Sequence, residues 1–87
     1  MEIAGKVALV TGAGAGIGKS IARRFAKKGA WVVVADIDGE RGRETVAEIG
    51  AKAAYARTDV SSEEDVRHMI GIAVAKFGGL HILVNNA

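Results

Sequence analysis

The chain has 87 residues, with 12 Lys and Arg against 10 Asp and Glu and neither cysteine nor proline. That length holds one small domain, and the missing cysteines exclude disulfides and thiolate metal sites. A formal net charge of +2, with acids and bases interleaved and no basic block threaded by aromatics, argues against nucleic-acid binding. No apolar run reaches the roughly 18 residues that a membrane helix needs. The start, Met1-Glu2-Ile3-Ala4-Gly5-Lys6, lacks the basic segment and cleavage site of a secretion signal. A soluble, cytoplasmic protein is expected.

In chain order, Val7-Ala8-Leu9-Val10 is continuously apolar and ends at Thr11-Gly12, the pattern of a strand covered on both faces. Residues 16–28 read as a helix, with Ile17, Ile21 and Phe25 on its inner stripe and Gly29 as its stop. Trp31 to Ala35 is a second buried strand closed by Asp36. A helix over 39–49 follows, with Val46 and Ile49 facing inward and Gly50 ending it. Ala53 to Arg57 makes a weaker third strand. Ser61 followed by Glu64 reads as a capping box that opens a helix with Val66, Met69, Ile70, Ala73, Val74 and Phe77 as its apolar stripe. Gly78-Gly79 end that helix, and His81 to Asn85 makes a fourth strand. Strands alternating with helices imply an α/β fold with a parallel sheet and helices on both faces. The expected class is a three-layer, doubly wound (Rossmann) sheet with strand order 3-2-1-4.

The stretch Thr11-Gly12-Ala13-Gly14-Ala15-Gly16-Ile17-Gly18 links the first strand to the first helix, the context in which a glycine pattern gains meaning. Gly12 permits a tight turn, Gly16 leaves the backbone bare to a pyrophosphate, and Gly18 lets helix and sheet approach. The helix N-terminus then offers unpaired N–H groups to phosphates. Four glycines between Gly12 and Gly18 are entropically costly in a turn that binds nothing. A nucleotide-hydrolysing phosphate loop is the nearest rival, and Gly18-Lys19-Ser20 supplies its closing tripeptide. Its first glycine would have to stand at position 13, which is Ala.

The spacing Thr-Gly-x-x-x-Gly-x-Gly resembles that of the short-chain dehydrogenase/reductase family. Asp36, Asp59-Val60 and Asn85-Asn86-Ala87 match in order after the second, third and fourth strands. The openings Gly5 to Gly12 and Leu80 to Ala87 are also typical of it. The resemblance implies that Gly12, Ala15, Gly16, Ile17 and Gly18 line the pyrophosphate and nearby ribose. It further implies that Asp59 bonds the adenine amino group beside Val60, and that Asn86 lies near the adenine-side ribose with Asn85 steadying the strand end.

Asp36 lies 18 positions past Gly18, near the roughly 20 at which a ribose-binding acid is expected. A carboxylate there accepts from a 2′-OH and repels a 2′-phosphate. Neither Ala15 nor Ile37 is basic, so NAD is expected over NADP.

Other residues read as structural. His68 is a solvated helix side chain and His81 sits at a sheet end; two isolated histidines make no metal site. Tyr55 has Asp59, not lysine, four residues on, and reads as sheet-face packing. Trp31 is expected to cover the sheet edge and Met69 to lie in the core.

The resemblance implies that catalytic Ser, Tyr and Lys stand beyond the fourth strand, so none is assigned here. On that expectation, residues 1–87 form the N-terminal half of one Rossmann domain. The parent enzyme would move hydride between NAD and an alcohol or carbonyl substrate, and the resemblance implies a homo-oligomer when it is complete. The alternatives are a non-catalytic dinucleotide-binding module or degenerate relative, and an extended-type relative acting on nucleotide sugars.

Overall fold

The computed structural model describes residues 2–86; Met1 and Ala87, the last residue of the Asn-Asn-Ala stretch, lie outside the described residues. The elements are β1 (Val7–Thr11), α1 (Gly16–Lys27), β2 (Trp31–Asp36), α2 (Gly39–Ile49), β3 (Ala53–Arg57), α3 (Glu63–Phe77) and β4 (Ile82–Val84). All strand pairs are parallel, in the order β3-β2-β1-β4. This is the doubly wound arrangement read from the strand–helix alternation.

Strand periodicity divides the core. Val7, Leu9, Val33 and Ala35 pack with Met69 and Ala73 of α3 on one face. Val10, Val32 and Val34 pack with Ala22 of α1 on the other, with Val46 and Ile49 of α2 against them. Both faces are covered, so the central strands carry no polar alternation. Among the described residues, no helix is long and apolar enough to cross a membrane.

Several local expectations need correction. Helix α1 ends at Lys27, one residue early, because Lys28 is its C-cap. Ile17, placed on the inner stripe, is 73% exposed, since it falls in the first turn beyond the sheet's cover. Helix α3 is capped by Ser62, whose side chain accepts from the Asp65 amide; Ser61 instead turns back and donates its hydroxyl to Asp59 Oδ1 at 2.6 Å. Ile70 and Val74 lie outside the buried stripe, which runs through Val66, Met69, Ala73 and Phe77 with Ile72 beside it. Strand β4 is three residues long, because it pairs only with Ala8, Leu9 and Val10. His81 lies just before it, taking the Val7 amide on Nδ1 at 2.9 Å. Trp31 does not cover an edge: β2 is an interior strand, and the indole packs on Phe77 with ring centroids 5.3 Å apart.

Candidate functional site: the glycine turn and the strand-end cleft

The chain leaves β1 for β2 in one direction and reaches β4 on β1's other side, so the sheet reverses order between β1 and β4. Ligands of open α/β sheets bind outside the carboxyl ends of strands at such a reversal. The glycine-rich turn lies there.

Its geometry follows from what each glycine faces. Gly12 has φ +63°, and a Cβ on it would stand 2.8 Å from the Asn86 carbonyl oxygen. A Cβ on Gly18 would overlap the Gly12 carbonyl and the Asn86 amide. These two glycines therefore serve internal packing. Gly16 differs: φ is +57°, and a Cβ there would meet nothing within 4 Å. It keeps a left-handed backbone facing open space, directly at the first residue of α1.

The three helix starts are electrically unlike. The Asp38 side chain caps α2 and Ser62 caps α3, with Glu63, Glu64 and Asp65 in the first turn of α3. Helix α1 has Ala15 at its N-cap position, with no side-chain cap and no acid in its first turn. Its amides and positive dipole end are left for an outside anion.

Asp36 fastens this turn. Its Oδ2 accepts from the Gly14 amide at 2.8 Å, and its Oδ1 accepts from the Asp38 amide at 2.9 Å. Its own carbonyl accepts from the Tyr55 hydroxyl at 2.8 Å and from the Thr58 amide at 3.0 Å. Each carboxylate oxygen keeps a further lone pair for a hydroxyl donor. Tyr55 is thus more than packing, and burial raises its pKa above the usual phenol value.

Asp59 accepts the Ser61 hydroxyl and the Ser61 amide, both on Oδ1. Those bonds hold its carboxyl below the usual carboxylate range, with the Ser61 hydroxyl the larger cause. On the other side, the Thr11 hydroxyl accepts from the Asn86 amide at 2.9 Å and lies 3.3 Å from Asn85 Oδ1, tying the end of β1 to residues 85 and 86.

Gly12, Asp36, Ile37, Thr58, Asp59, Val60 and Asn86 together line a cleft of about 190 Å³. Five of the residues singled out in the sequence meet there: Gly12, Asp36, Asp59, Val60 and Asn86. Ala15, Gly16, Ile17 and Gly18 lie at the adjoining start of α1. Ile37 and Val60, each 57% exposed, give the cleft apolar surface for a flat ring. Sequence reasoning missed Ile37 and Thr58 as lining residues, and missed the fastening roles of Thr11 and Thr45. Thr45 is wholly buried, and its signal was a polar residue beside the inward-facing Val46 of α2.

Comparison with known proteins agrees with this geometry. The chain is 49% identical over 87 residues to momilactone A synthase of Oryza sativa subsp. japonica, covering 99% of the chain and 32% of that protein. It is 46% identical over 90 residues to 7alpha-hydroxysteroid dehydrogenase of Escherichia coli (strain K12), covering all of the chain and 35% of the relative. The chain thus spans about a third of the curated relatives it matches. Among solved structures, the 3-ketoacyl-(acyl-carrier-protein) reductase of Brucella melitensis complexed with NADH superposes with a TM-score of 0.95 at 48% identity, over 98% of this chain and 35% of that one. The short chain dehydrogenase family model matches residues 6–87. That match covers nearly the whole chain, and the chain belongs to the short-chain dehydrogenase family.

Proposed function

We propose that the chain binds a nicotinamide adenine dinucleotide, NAD in preference to NADP, as part of an oxidoreductase acting on an alcohol or carbonyl compound. The observation that carries this reading is Gly16, a left-handed backbone with open space where a side chain would stand, set at an uncapped helix start. That is the form of a diphosphate cradle. Gly12, Ala15, Gly16, Ile17 and Gly18 would surround the diphosphate. Ile37 and Val60 would flank the adenine, whose amino group would donate to Asp59. The Ser61 bonds support this role by keeping Asp59 an anion. Asp36 would accept the ribose hydroxyls, and Asn86 would lie beside that ribose. The bound cofactor would supply or accept the hydride.

The relatives run about three times the length of this chain, and we assign hydride-transfer residues and substrate contacts to that further length. The described residues hold the adenosine half. A cytoplasmic setting suits a chain without cysteine.

The preference for NAD rests on Asp36, since a 2′-phosphate would meet a carboxylate already holding two amides. Calorimetric titration of the full chain with NAD and NADP tests it. The wild type should favour NAD by roughly tenfold or more, equivalent to about 1.4 kcal/mol. Asp36→Asn, which keeps an acceptor for Gly14, should bring the two affinities within a few-fold. Equal affinity in the wild type would refute the assignment.

A further inference from the structure

We propose that Thr45, which does not line the cleft, is a positioning residue that sets the peptide plane of the glycine turn for diphosphate binding. This rests on the dinucleotide reading above and adds a residue from α2 to it.

Thr45 is fully buried, and its hydroxyl donates to the Ala13 carbonyl at 3.0 Å across 32 positions of sequence. The competing acceptor is the Arg41 carbonyl, 3.2 Å away in the same helix. A threonine inside a helix often makes only that local bond. Here the Arg41 carbonyl is four residues back and lies in the helical ladder, where it receives the Thr45 amide. The Ala13 carbonyl has no such alternative. Ala13 is fully buried, its amide is spent on the Ala35 carbonyl at 3.1 Å, and Thr45 is the sole donor to its carbonyl among the described residues.

The Ala13 carbonyl and the Gly14 amide belong to one peptide unit. Thr45 holds the carbonyl, and Asp36 Oδ2 holds the amide at 2.8 Å. Two side chains, from α2 and from the end of β2, thus grip opposite ends of a single rigid plane. Rotation of that plane would break both bonds. Its orientation directs the chain through Ala15 into the left-handed Gly16, and so aims the amides at the start of α1. A hydroxyl 32 positions away in sequence therefore governs where the diphosphate amides point.

The discriminating variant is Thr45→Val, which keeps the shape and removes the hydroxyl. Titrations of the full chain with ADP, NAD, NADP and adenosine should show the diphosphate ligands weakened about tenfold, the scale of one hydrogen bond. NAD and NADP should fall together, unlike the effect of Asp36→Asn, and adenosine should be unchanged. Thr45→Ser should restore ADP binding. Val46→Ala, a neighbouring core change on α2, should lower the melting temperature while leaving the ADP-to-adenosine affinity ratio intact. Unchanged ADP binding in Thr45→Val, or parallel loss of ADP and adenosine, would overturn the proposal while leaving the dinucleotide reading standing. Failure of the wild-type chain to bind NAD would instead sink that reading and this one with it.

Discussion

Gly16 and Gly18 stand two positions apart and have opposite physical demands. A methyl group at Gly16 points into open space, so its internal cost is the left-handed backbone, about 1–2 kcal/mol for a residue with a Cβ. The same methyl group at Gly18 collides with the Gly12 backbone, which cannot move aside as a flexible side chain would. Gly16→Ala should therefore fold with a melting temperature lower by roughly 4–16 °C yet lose nucleotide affinity by about tenfold or more. Gly18→Ala should cost about 3 kcal/mol or more of stability before binding is considered. Thermal melts with NAD titrations separate the two. A Gly16→Ala protein that binds NAD like the wild type would remove the cradle argument. Both glycines were evident in the sequence, because their demand is set by the strand–turn–helix context. Gly14 was not. Its need for a bare Cα comes from Asp36 Oδ2, which would lie 2.8 Å from a Cβ there, a partner 22 positions away.

At the scale of elements, the start of α3 shows how one residue changes a role. Ser61 followed by Glu64 satisfies the capping-box spacing, but the helix begins one residue later, at Glu63, so Ser62 is the cap while Ser61 turns its hydroxyl to Asp59. Ser62→Ala should thus lower stability by about 1 kcal/mol, read as a drop in melting temperature at neutral pH. Ser61→Ala should leave that temperature nearly unchanged and act on Asp59 instead. The Asp59 carboxyl is depressed by Ser61, so its anion persists through the usual carboxylate range and is lost only as pH falls through the lowered value. Removing the hydroxyl should move the acid limb of nucleotide binding upward in pH. If Ser61→Ala lowers the melting temperature as much as Ser62→Ala, the cap assignment is wrong. Element type and order were legible from periodicity, since the apolar runs of β1 and β2 and the stripes of α1 and α2 are local patterns. Boundaries and faces were less so. Ile70 and Val74 share helical spacing with the core, yet none of the described elements buries them. The residues that gather at the candidate cleft could be picked out where family spacing marks them, and stayed hidden where a fastening bond, such as that from Thr45 to Ala13, joins distant segments.

At the scale of the whole molecule, the two edges of the sheet formed by the described residues differ. Strand β3 ends the sheet with Ala53–Arg57, a run of small residues interrupted by Tyr55 and closed by an exposed arginine. Strand β4 ends it with Ile-Leu-Val, and Leu83 is 55% exposed although its register partner Leu9 is fully buried. A branched aliphatic edge with free backbone groups is a template for further strand pairing. On the α3 side of that edge, Leu83 shares a small cleft with Val66 and Met69, so the apolar surface continues onto the helix. These 87 residues, prepared alone, should therefore self-associate through β4 at micromolar concentration. Leu83→Lys should shift them toward monomer in sedimentation velocity, because a charge on an edge strand resists pairing. Since Leu83 is half exposed, the substitution should cost little stability, within about 1 kcal/mol. A wild-type chain that sediments as a clean monomer and melts cooperatively would show that three edge residues are too short a template. Loss of association by Leu83→Lys without loss of helical signal would place the contact on β4 and not on an unfolded form.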